Sequence, residues 1–165
     1  MNTQEELKQA YSEWQEENAD TAIHRAWVEW VLERVLQFPE TVLWEGQRVP
    51  EGLKVALPEY RETLRPDWVL VEPQTGRPRL LVQMVPPGQR LEGQMKGRFW
   101  TASPATRMME LLRGTGVWLG LVTNGEHWLL VVAPRSGVEL LPGVKYQEAT
   151  PTVSYISWYA NLWLE

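Results

Sequence analysis

Apolar residues return at helical intervals near the start of the chain. Leu7, Ala10, Tyr11 and Trp14 fall at i, i+3, i+4 and i+7, which predicts an amphipathic helix over about Glu5 to Gln15. A second helix is predicted from Thr21 to about Phe38, capped by Asn18 or Asp20, with Ile23, Trp27, Trp30, Val31 and Val35 spread over a wide apolar arc. That breadth calls for burial on more than one side. Arg25, Glu29 and Glu33 form its narrow polar strip, an i,i+4 ladder of the kind that usually faces solvent. Pro39 ends the helix.

The period then shortens towards that of strands. Leu53 to Leu57 is a short candidate strand, and Trp68 to Glu72 with Arg79 to Val85 form a hairpin about the turn residues Pro73 to Pro78. "PPGQRLEGQMKGRFWTA" is expected to be a long loop. "SPATRMMELLRGTG" predicts a helix with Ser103 as N-cap, Pro104 at the first helical position and Gly114 past the end. "VWLGLVTNGEHWLLVV" is two apolar runs about Asn124-Gly125, the form of a tight type I′ hairpin whose strands are buried on both faces. Tyr155, Trp158, Tyr159 and Leu162 have helical spacing and predict a closing helix towards Glu165. No C-cap or polar tail follows, so the chain is expected to be a piece of a longer protein. The element order α, α, β, β, β, α, β, β, α implies an α/β fold with a mixed central sheet flanked by helices.

Composition narrows the function classes. With 165 residues and 44% hydrophobic content the prior is one folded domain with a single core. The absence of cysteine excludes disulfides, thiolate metal sites and cysteine nucleophiles, and suits an intracellular protein. The polar, acidic N-terminus has no secretory apolar region and no stretch reaches the roughly 18 apolar residues of a membrane span; a cytoplasmic location without a membrane partner is expected. A net charge of −5 gives no general attraction to phosphate, so contact with nucleic acid needs a local basic strip. Ten Trp against two Phe is an unusual ratio, and Trp27, Trp30, Trp118 and Trp128 lie in apolar segments that mark them as core.

The hairpin carries the candidate chemistry. If it is symmetric about Thr75, Asp67 faces Gln83 and Arg65 faces Val85, and alternation puts Asp67, Val69, Gln83 and Val85 on one face. Opposed residues have Cβ atoms about 5 Å apart, close enough for two oxygen ligands to share a hard cation. Two carboxylates on Mg²⁺ with a lysine two positions on is what metal-dependent phosphodiester cleavage requires. The plainer reading of Asp67 is a strand-start residue whose carboxylate bonds nearby backbone amides, with Gln83 hydrogen-bonded to it. His24 and His127 are too few and too far apart for an imidazole metal site and are expected to be ordinary half-buried side chains.

An α-β-β-β-α-β order with "PD" heading the second strand resembles the PD-(D/E)xK nuclease core. "RPDWVLVEPQTGRPRLLVQMVPPGQ", "SPATRMMELLRGTGVWLGLVTNGEHWLLV" and "WYANLWLE" are similar to the N-terminal domain of type I and type IIG restriction-modification polypeptides, in which that segment precedes an adenine-specific, S-adenosylmethionine-dependent DNA methyltransferase. The resemblance spans roughly Ala22 to Glu165. It implies a restriction-endonuclease-like core over 21–165, preceded by a helical extension at 1–20 and ending in a C-terminal hairpin and helix. Asp67 then matches the metal-binding aspartate, and Glu29 or Glu33 the first-helix glutamate of some members. Gln83 stands where the second acid belongs and Val85 where the lysine belongs, leaving Lys96 as a migrated lysine. A glutamine brings no charge to Mg²⁺, and a valine neither polarises water nor stabilises the developing phosphorane charge.

The expected function is therefore a nuclease-like domain of a restriction-modification or phage-defence methyltransferase system that does not itself cleave. It would contact DNA through Arg90, Lys96, Arg98 and Trp100, or dock to a linked methyltransferase that binds S-adenosylmethionine. The alternatives are an active Mg²⁺-dependent endonuclease using Asp67, Gln83, Glu33 and Lys96, and a pure protein-interaction module.

Overall fold

Asp20 starts the helical layer. Its carboxylate accepts from the amides of Ala22 and Ile23 at 2.8 and 3.2 Å, capping α2 (Thr21–Trp30). Before it, α1 (Thr3–Glu17) turns Leu7, Tyr11 and Trp14 inward, as their spacing predicts. The second helix does not run on as α to Phe38: Val31–Val35 widens into a π turn, and Gln37, with a left-handed φ of 58°, follows it. The wider turn shifts the apolar arc, and Val31 and Leu32 are both fully buried. The structure, a computed structural model, describes residues 3–133 and, as backbone strands, 139–141, 144–145 and 156–159.

The strands in chain order are β1 (Leu43–Glu45), β2 (Val55–Leu57), β3 (Glu62–Leu64), β4 (Trp68–Val71) and β5 (Pro78–Met84). After α3 (Pro104–Thr115) come β6 (Leu119–Thr123), β7 (His127–Val132), β8 (Glu139–Leu141), β9 (Val144–Lys145) and β10 (Ile156–Tyr159). Six of them make one sheet in the order β1-β4-β5-β6-β7-β10, in which β5 and β6 are parallel and all other neighbours antiparallel. The fold is thus α/β with a mixed sheet, as expected.

Strand alternation sorts the core into two layers. Trp68, Leu80, Val82, Leu121 and Trp128 pack against α1 and α2, whereas Val69, Leu81, Val122, Leu129 and Val131 pack against Met108, Leu111 and Leu112 of α3. Both faces of the central strands are covered, which is why their sequences are continuous apolar runs. Among the described residues four tryptophans, Trp14, Trp27, Trp68 and Trp128, are buried. Trp118 is not core as expected, but 39% exposed where β6 begins.

Three other expectations are corrected. The Leu53 to Leu57 segment is not the first strand of the meander: Val55–Leu57 pairs with Glu62–Leu64 in a separate hairpin packed on α3, and Leu43–Glu45 pairs with β4 instead. The closing helix is replaced at Ile156–Tyr159 by an edge strand on β7; β-branched and aromatic residues suit a strand, and pairing with an open sheet edge overrides the helical spacing. Tyr155 and 160–165 lie outside the described residues. The β6–β7 turn is not type I′, because only Gly125 has a positive φ, of 92°. Asn124 closes it with its side chain, accepting from the amides of Glu126 and His127 at 3.0 and 2.7 Å.

Ser103 and Pro104 open α3 as expected, Ser103 Oγ accepting from the amide of Thr106 at 3.1 Å. The residue in left-handed conformation past its end is Gly116, two positions later than predicted. The helix lies so close to β6 that a Cβ at Gly120 would overlap the buried Met108 and press on Leu112. Gly120→Ala is expected to lower stability by about 1–3 kcal/mol through this overpacking, read as a lower urea midpoint at unchanged slope.

Candidate functional site

The hairpin pairs as its symmetry predicts. Trp68 faces Val82, Val69 faces Leu81 and Leu70 faces Leu80, and the register slips only where Val71 meets Pro78. Asp67 lies just beyond the last rung. Its amide donates to the carbonyl of Val82 at 2.9 Å, and its carboxylate accepts from the amide of Met84 at 2.8 Å, so it brackets Gln83. The reason is local: along β5 alternate amides turn to opposite neighbours, and the amide of Val85 reaches Thr123 on the β6 side at 2.8 Å. The amide of Met84 turns the other way, where Asp67 supplies the acceptor. Gln83 does not bond Asp67 as expected; its amide nitrogen donates to the carbonyl of Arg65 at 3.3 Å. The Val85 side chain is buried in the α3-side core.

The surroundings of Asp67 disfavour its charged form. Burial raises its pKa above the ordinary value, against the lowering effects of the Met84 amide and of Arg25. Arg25 lies over the Trp68 ring at 4.3 Å and pairs with Glu45 at 2.8 Å. Glu29 is likewise shifted upward, first by burial and then by the charges of Glu45 and Glu33, with Arg25 opposing. Glu29 therefore lies in the field of both Glu45 and Glu33. Among the described residues no three His, Asp or Glu side chains converge to hold a cation. One half-buried carboxylate engaged by a backbone amide, a neutral Gln83 and an apolar Val85 do not fit Mg²⁺. Lys96 is exposed on the loop and has no polar side-chain partner among the described residues.

The end of β5 is clamped from its other face by His24. Trp14 Nε1–H donates to His24 Nδ1 at 3.0 Å, which leaves the proton of the neutral ring on Nε2, and Nε2 donates to the carbonyl of Val85 at 2.8 Å. The ring is buried and its pKa is lowered by that burial, against the hydrogen bond to Val85. Beside it Trp27 Nε1 donates to the carbonyl of Gly125 at 2.7 Å, and a Cβ at Gly125 would strike Trp14. His24 is thus a structural bridge between two helices, β5 and the β6–β7 turn, a role without any motif in the sequence.

The long loop is anchored by buried Leu91 and Met95 and by Asn124, whose amide donates to the carbonyl of Gln89 at 2.8 Å. Of the expected DNA contacts, Arg98 and Trp100 come together around a buried ion pair, and Arg90 and Lys96 stand exposed along the loop. The pair is Arg107 with Glu62, at 2.7 and 3.0 Å, and it holds the Glu62 carboxyl below the usual range. Arg107 also donates to the carbonyls of Ala102 and Trp100 and lies 4.6 Å over the Trp100 ring. A cleft of about 190 Å³ beside it is lined by Arg65, Arg98, Arg107, Glu62 and Gln83. Sequence reasoning missed Arg107 and Glu62, since a cation in the first turn of α3 and an acid in a short strand carry no signal of each other.

Asp67 and His24 each give testable outcomes. Asp67→Ala leaves the Met84 amide unpaired and is expected to cost about 1–3 kcal/mol. Asp67→Asn keeps an acceptor and removes a charge whose raised pKa makes it unfavourable above that pKa, so at pH 7 it should match or exceed the parent in urea unfolding. For His24 the depressed pKa means the unfolded chain binds the proton first: its contribution is complete above about pH 6.5 and declines as pH falls towards the folded value. Urea midpoints should therefore drop between pH 7.5 and 5.5, and His24→Gln should flatten that drop. No protein-family model, curated protein or solved structure matches the chain.

Proposed function

We propose that this chain is a nuclease-shaped domain of a DNA restriction-modification or phage-defence methyltransferase system, and that it contacts DNA without cleaving it. The observation that carries the reading is the end of β5, where a metal-dependent nuclease needs acid, acid and lysine. There the Asp67 carboxylate holds the Met84 amide, Gln83 holds a carbonyl, and Val85 is core. Support for the nuclease-like shape is the succession α2, β1, β4, β5, α3, β6, with the first three strands antiparallel and the fourth parallel to the third. Support for DNA contact is the cationic loop: Arg90, Lys96 and Arg98 are exposed on a chain whose overall net charge is −5. Mg²⁺ and S-adenosylmethionine have no part in this domain on this reading; the latter belongs to a linked methyltransferase.

Docking to that methyltransferase is a second reading, and one surface favours it. At the opposite end of the sheet the exposed Trp118 and Leu119 border a cleft of about 560 Å³ lined by Pro50, Leu53 and Val117.

Plasmid nicking and duplex binding separate these readings from an active enzyme. The parent chain is expected to give no nicking with Mg²⁺ or Mn²⁺. It should bind DNA in a salt-dependent way that survives Asp67→Asn and weakens when Arg90, Lys96 and Arg98 are replaced together by Ala. Metal-dependent nicking abolished by Asp67→Asn would overturn the proposal.

A further inference from the structure

Phe99 is the most exposed large hydrophobic residue described, at 67%, and it is not bare. The guanidinium of Arg61 lies over its ring at 4.7 Å from the centroid. The adjacent residues repeat the pairing: Tyr60 stacks on Trp100 with centroids 4.5 Å apart and planes within 9° of parallel, and Tyr60 is itself 38% exposed. Two consecutive residues of one turn thus meet two consecutive residues of the long loop, ring on ring and cation on ring.

The backbone is strained to achieve this. Arg61 follows the 3₁₀ turn Pro58–Tyr60 with a φ of 56°, a left-handed conformation that a long side chain rarely adopts. In extended chain Tyr60 and Arg61 would point to opposite sides. The left-handed residue lets both reach the Phe99–Trp100 loop. Arg61 has no acidic partner among the described residues, so its charge is not neutralised where it lies.

Next to this platform is the cleft holding Arg65, Arg98 and Arg107, whose lining includes a single acid, Glu62. Arg107 is buried and engaged by Glu62, whereas Arg98 is half-exposed and only 3.4 Å from the same carboxylate. The Arg65 guanidinium donates to the carbonyl of Gly46, and its charge also reaches Glu51, which is itself paired with Lys54. Exposed planar rings beside incompletely neutralised guanidinium groups fit a ligand that alternates flat bases with phosphates. Paired bases are stacked inside a duplex and do not offer their faces; unpaired ones do.

We propose that Phe99, Arg61 and Tyr60 form a stacking platform for single-stranded DNA, with Arg98 and Arg65 receiving the adjoining phosphates. The proposal rests on the DNA-contacting reading above and narrows it to unpaired strands. Trp100 and Arg107 then position the platform rather than touch the ligand, because the ring of Trp100 is already covered by Tyr60 and Arg107.

Fluorescence anisotropy of a labelled fifteen-nucleotide oligothymidylate and of a duplex of equal length, measured with the whole chain at several salt concentrations, tests it. The single strand should bind tighter. Phe99→Ala should weaken that binding about tenfold with little change in salt slope, the scale of one base stack. Arg98→Ala should shallow the salt slope by roughly 0.7, the share of one phosphate on a single strand. Arg61→Gly removes the cation and relieves the left-handed strain, so it should weaken binding while holding or raising the melting temperature, which separates the platform from the fold. Equal binding of both DNAs, unaffected by Phe99→Ala, would overturn the platform and leave DNA contact standing. Binding of neither DNA by the folded chain would overturn both.

Discussion

The last backbone groups of β5 set the constraint around which the rest is arranged. A strand buried on both faces between an antiparallel and a parallel neighbour cannot leave an amide or carbonyl unpaired without a penalty of about 1–3 kcal/mol. Beyond the last rung with β4, three groups need partners. The Met84 amide takes the Asp67 carboxylate, the Val85 amide takes the carbonyl of Thr123, and the Val85 carbonyl takes Nε2 of His24. Each partner comes from a different element, so satisfying one strand end ties together the hairpin, the parallel crossover and the helical layer. The Asp67 carboxylate and the His24 ring are thereby both engaged with backbone.

The helical layer is built to deliver that histidine in its neutral form. Trp14 stacks on Trp27 with centroids 5.7 Å apart and on the His24 ring at 6.1 Å, and Trp27 continues the stack to Trp30 at 5.8 Å. The same rings close over Gly125, where a glycine is required both by its positive φ and by the proximity of Trp14. Docking of α1, the protonation state of His24 and the position of the β6–β7 turn are therefore one coupled event. An imidazolium would lose the acceptor that Trp14 needs at Nδ1, which adds to the burial that already favours the neutral ring.

Local chemistry was readable in the sequence wherever it was decided locally. Asp20, Ser103 and Pro104 open helices as their types require, and the turn from Pro73 to Pro78 sets a register about Thr75 that places Asp67 beside Gln83. What escaped was decided by partners far along the chain. Ile156–Tyr159 has helical spacing but takes the open edge of β7. Leu53 to Leu57 looks like any sheet strand, yet its partner is Glu62–Leu64, and the short Leu43–Glu45 takes the place beside β4. Asn124-Gly125 has the composition of a two-residue turn, but the Asn124 side chain serves as an acceptor for two amides and lengthens it. At the candidate site, Gln83 and Val85 were legible as residue types that bring no charge. That Asp67 would be held by an amide and Gln83 by Arg65 depended on how the strand ends, which no spacing records.

The arginines around the two candidate surfaces divide into two electrostatic populations. Arg25 and Arg107 are internal counter-charges: one lies between Trp68 and Glu45 where its charge reaches Asp67 and Glu29, the other is locked to Glu62 and two carbonyls. Removing either would leave acids desolvated and uncompensated, so their role is in the fold. The others are nearer the surface: Arg98 shares the Glu62 carboxylate at 3.4 Å, Arg65 reaches Glu51, and Arg61, Arg90 and Lys96 have no acidic partner among the described residues. The same segments carry Glu59, Glu62 and Glu92, so in a chain of net charge −5 the placement of each guanidinium, rather than the overall charge, sets the local field.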